Sequence, residues 1–84
     1  MKTFQHRGYD IQPDCPYFDD MRRWGVRCLI RRQGKVGQQP VPATTRDFFA
    51  NQDDAIAVGM RRAKAMIDNH LDGRTGDLAD LDRF

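Results

Sequence analysis

The chain has 84 residues, 39% of them hydrophobic and 31% charged, which suits one folded domain with a thin core, is too short for a second core and is too apolar for a wholly disordered protein. All 12 acids are aspartate and serine is absent, so Ser-based nucleophilic catalysis is excluded. The net charge of +2 is unevenly placed: residues 21–35 carry five arginines and Lys35 with no acid, while residues 72–84 hold four aspartates against Arg74 and Arg83, an asymmetry that predicts a basic patch for an acidic partner or for the protein's own tail.

The first segment, Thr3 to Gln12, reads TFQHRGYDIQ. Tyr9 and Ile11 alternate with Asp10 and Gln12, and Gly8 interrupts the run, which predicts one short strand. This polar N-terminus has no apolar export segment, and two cysteines, Cys15 and Cys28, are too few for a disulfide scaffold. A cytoplasmic protein with reduced thiols is the default expectation. In PDCPYFDDM, Pro13 and Pro16 remove ladder donors and Asp19 and Asp20 favour a turn, so a loop carrying Tyr17 and Phe18 is predicted there.

The stretch RRWGVRCLIRR, Arg22 to Arg32, has the clearest strand pattern. Trp24, Val26, Cys28 and Ile30 fall on one face; Arg23, Gly25, Arg27, Leu29 and Arg31 fall on the other. Its expected partner is ATTRDFF, Ala43 to Phe49, rich in β-branched and aromatic residues, across the turn-rich QGKVGQQPVP. A helix is predicted from Asn51 to His70. Asn51 is a good N-cap, Asp53 and Asp54 suit the first turn, Ile56, Met60, Ala63, Ile67 and Leu71 form an apolar stripe, and Gly73 suits the C-terminal cap. Gly59 beside that stripe weakens the helix by about 1 kcal/mol relative to alanine, a loss that close approach to a sheet offsets. In RTGDLADLDRF, Leu78, Leu81 and Phe84 recur every third residue among Asp77, Asp80 and Asp82. So short a turn orders only by docking.

The expected fold is a small two-layer α+β domain over residues 1–73, a three-stranded antiparallel sheet packed on one C-terminal α-helix (βββα). Residues 74–84 form an acidic tail, flexible or docked. The elements GYDI, W-x-V-x-C-x-I, T-x-x-x-F-F, N-x-x-D-A and AKAMID resemble small uncharacterised bacterial domains over roughly residues 8–70. The layout of sheet plus helix also resembles the DNA-binding modules of plant AP2 factors and the arm-binding domains of tyrosine integrases. That resemblance implies exposed arginines on the sheet face entering a groove; Trp24, predicted to point inward, departs from it.

Two functional readings follow. The leading one is a non-enzymatic binding module that takes DNA or RNA on its basic strand face, with Arg23, Arg27, Arg31, Lys35 and Arg46 contacting phosphates. Alternate residues on a strand lie about 6.6 Å apart, close to the phosphate spacing of one nucleic-acid strand. The other is a protein-interaction or self-associating module in which Leu29, Leu78, Leu81 and Phe84 make the contact; within one chain, the tail would cover Leu29 while its aspartates face the arginines. His6, His70, Cys15 and Cys28 match no zinc spacing, so neither metal nor cofactor is expected. The first loop allows a thiol–base meeting of His6 with Cys15, and GKVG lacks the spacing of a phosphate loop. No enzyme, small-molecule substrate or membrane contact is expected.

Overall fold

The computed structural model describes residues 2–34, 37–74, 76 and 78–82. The domain is α+β, as expected, but its antiparallel sheet has five strands rather than three. β1 (Phe4–His6) and β2 (Tyr9–Pro13) replace the single predicted N-terminal strand, β3 (Tyr17–Phe18) lies in the predicted loop, and β4 (Arg23–Arg32) and β5 (Val41–Phe49) follow. β4 is central, pairing with β2 and β3 along one edge and with β5 along the other.

Both extra strands come from turns that reverse the chain tightly. Arg7 and Gly8 have φ of 50° and 89°, so both central residues of the β1–β2 turn are left-handed, the backbone twist that a two-residue hairpin requires. Residues 19–22 turn β3 into β4, with Arg22 at φ 52° and Met21 N–H donating to Phe18 O at 3.2 Å. Pro16 accepts a hydrogen bond from Gly25 N–H through its carbonyl at 2.8 Å, so β3 is held to β4 there by that one bond, without a donor from the proline.

α1 (Gln52–Leu71) starts where the Asn51 side chain accepts from Asp54 N–H. It ends in a Schellman motif: Gly73, at φ 78°, donates to His70 O and Arg74 donates to Asn69 O. The buried stripe is Ala55, Gly59, Ala63, Met66 and Ile67. It runs beside the predicted one, so Leu71 is exposed. The small residues at the centre let the helix lie close against Val26 and Cys28.

Tyr9, Ile11, Cys28, Ile30 and Ala43 from the sheet meet Ala63, Met66 and Ile67 from α1 in one core. Leu78 and Leu81 complete it at 0% and 1% exposure, carried by a 3-10 turn at Ala79–Asp82. Gln38 Nε2 donates to Leu81 O at 3.1 Å and holds that turn. The tail therefore docks on the helix side of the sheet, because its leucines find the larger unfilled apolar surface there. The expectation that it covers Leu29 on the arginine side is corrected. No helix among the described residues is long and apolar enough to cross a membrane.

Candidate functional site

The side of the sheet away from α1 is open, and β4 supplies its arginines. Arg27 and Arg31 stand on it as the alternation predicts, but the sheet also delivers acids and amides to them. Arg27 Nη2 donates to Asp14 Oδ2 at 2.8 Å and Arg27 Nε to the Asp14 carbonyl at 3.1 Å. Arg31 lies directly opposite Asp10 and donates to Gln12 Oε1 at 3.0 Å. The acid-free stretch of sequence is thus not an acid-free surface: the loop after β2 places Asp14 against the Arg27 guanidinium, β2 places Gln12 against that of Arg31 with Asp10 at the facing strand position, and both arginines stand half-buried. A phosphate would have to displace partners already in place.

The remaining predicted cations lie toward one end. Arg23 is exposed and donates only to the Arg22 carbonyl, at 3.2 Å. Arg46 is exposed within the β-bulge that separates the Gly25–Phe48 and Arg27–Thr44 pairings, and has no ion-pair or hydrogen-bond partner among the described residues. Lys35 lies outside the described residues. The predicted nucleic-acid residues are therefore not one array: in mid-sheet Arg27 is ion-paired with Asp14 and Arg31 is hydrogen-bonded to Gln12, while Arg23 and Arg46 flank the end.

That end carries the feature which the residue-by-residue reading missed. A Cβ on Gly25 would meet Phe18 Cε2 at 2.9 Å and Pro16 Cγ at 3.2 Å, so Pro16 and Phe18 fold over the open face into the room that Gly25 leaves. Phe48 pairs with Gly25 across the β4–β5 ladder and its ring meets Phe18 edge-on, 5.7 Å between centroids. On the opposite face Tyr17 packs against Trp24, 4.9 Å between centroids, and Met21 sits on the turn. Tyr17, Phe18, Met21 and Phe48 each keep between 38% and 48% of their surface exposed. Adjacent Phe48 and Phe49 were the available signal: of two neighbouring strand residues, one must leave the core face.

Around these side chains lie charges of both signs. Asp19 and Asp20 are exposed at the hairpin turn, Arg22 and Arg23 follow, and Arg46 stands on β5. The side chains of Asp19, Asp20, Arg22 and Arg46 make no ion pair or hydrogen bond among the described residues.

The other predicted candidates are occupied by structure. Leu29 is half-buried on the open face, Leu78 and Leu81 are core residues and so leave the partner surface, and Phe84 lies outside the described residues. His6 Nε2 hydrogen-bonds Asp68 Oδ1 at 2.9 Å, Arg7 Nη1 donates to the same oxygen at 3.0 Å, and His70 meets the Tyr9 ring edge-on. The His6 hydrogen bond first and the Arg7 one second hold the Asp68 carboxyl below its ordinary range. Cys15 Sγ points to the Arg27 carbonyl at 3.6 Å, and burial, with a smaller contribution from Cys15, pushes the Cys28 thiol up to about 11. Among the described residues no three His, Cys or Asp side chains are grouped to hold a metal. A groove of about 370 Å³ runs between β1, the end of β2 and the first turn of α1, lined by Lys2, Phe4, Pro13, Gln52, Asp53 and Ile56. It brings no nucleophile to a base, and Asp53 is accounted for by the helix N-terminus.

A family model described as "Uncharacterized protein-like" matches residues 1–82. No curated protein matches the chain.

Proposed function

The chain belongs to the Uncharacterized protein-like family, and from its surface we propose that it is a non-enzymatic protein-interaction module whose contact is the aromatic end of the sheet. One observation carries this reading: Phe18 and Phe48 stay exposed together on the open face, with Met21 on the adjoining turn, among charges of both signs that have no partner among the described residues. Aromatic residues, methionine and arginine are the side chains enriched at protein interfaces, and the aromatic ones supply contact area at low entropic cost. An open sheet face also lets a partner reach Phe18 and Phe48 without rearranging the core.

The same surface argues against a polyanion as ligand. Nucleic-acid affinity comes chiefly from unpaired cations against phosphates, whereas Arg27 is spent on Asp14 and Arg31 on Gln12.

The test places p-benzoylphenylalanine at position 48 in cells that make the chain, followed by irradiation. A covalent adduct with protein that disappears with Phe18→Asp, and persists with Arg31→Gln, supports the reading. An adduct with nucleic acid, or no adduct, overturns it.

A further inference from the structure

We draw no further inference here: the strongest candidate, the outer edge of β1, unpaired among the described residues, with the adjoining groove that sets Lys2 and Asp53 beside Phe4, Pro13 and Ile56, carries nothing because nothing in the structure shows what covers it.

Discussion

Gly59 of α1 faces Cys28 of β4 so closely that a Cβ added to the glycine would stand 2.7 Å from the Cys28 Sγ, and 3.4 Å from Val26 Cγ1. This contact sets the distance between the two layers. Gly59→Ala gains about 1 kcal/mol of helix propensity, but the clash with a fully buried sulfur costs more, and the expected net loss is roughly 1–3 kcal/mol. Urea unfolding measures it. Cys28→Ala removes the sulfur, so the double variant is expected to lose less than the two single losses added together. Additive losses would mean that the layers separate instead of clashing.

The last turn of the chain is structural. Leu78 and Leu81 are both fully enclosed, and truncating a buried leucine to alanine costs about 2–5 kcal/mol. Leu81→Ala is therefore expected to lower the unfolding midpoint strongly, while Leu71→Ala, at an exposed position, shifts stability by about 0.5 kcal/mol or less. The two leucines look alike in the sequence pattern, so equal effects would contradict the docked tail.

How far the fold was legible follows from the range of each interaction. The caps of α1 and the alternation of β4 are local patterns, and both stand where the residues predict them. The β1–β2 hairpin escaped because its turn is Arg7-Gly8: a left-handed arginine is uncommon, and here the same side chain is anchored to Asp68, 61 positions away. The buried stripe of α1 was misplaced because large apolar residues outrank small ones in a periodicity reading, whereas close packing against Cys28 selects Ala55, Gly59 and Ala63. The spacing of Leu78 and Leu81 revealed a docking turn, though not the side of the sheet that receives it. At the candidate site the arginines were visible and their partners were not. Gln12 and Asp14 reach Arg31 and Arg27 only across a strand pairing, 19 and 13 residues apart, and one run of sequence carries no trace of such pairing.

The two thiols differ in reactivity. Burial raises the Cys28 thiol to about 11, which leaves about one molecule in a thousand as thiolate at pH 8, and the side chain has no contact with solvent. Cys15 is only half-buried. With excess disulfide reagent at pH 8, one thiol is expected to react in the native protein and the second at the rate of opening, both becoming accessible in denaturant. Two equally fast native thiols would show that the α1–β4 contact opens readily.

Asp68 joins the β1–β2 turn to the C-terminal half of α1 through His6 and Arg7, and its carboxyl is held below the ordinary value of 3.8, first by the His6 hydrogen bond and then by that of Arg7. A group whose pKa is lower folded than unfolded binds fewer protons in the native state, so its stabilisation is complete above the unfolded value. It is lost as pH falls below that value and through the lowered folded one. Because both partners of the Arg7 pair are about half exposed, the effect is modest and weakened by salt. Asp68→Asn keeps a hydrogen-bond acceptor and removes the charge. Thermal unfolding from pH 7 to pH 2 is expected to show the wild type more stable than the variant at neutral pH, with the gap closing once the pH drops below the ordinary carboxylate range. A gap of constant size down to pH 2 would mean that packing, not charge, distinguishes the two proteins, and that the turn is held by its backbone alone.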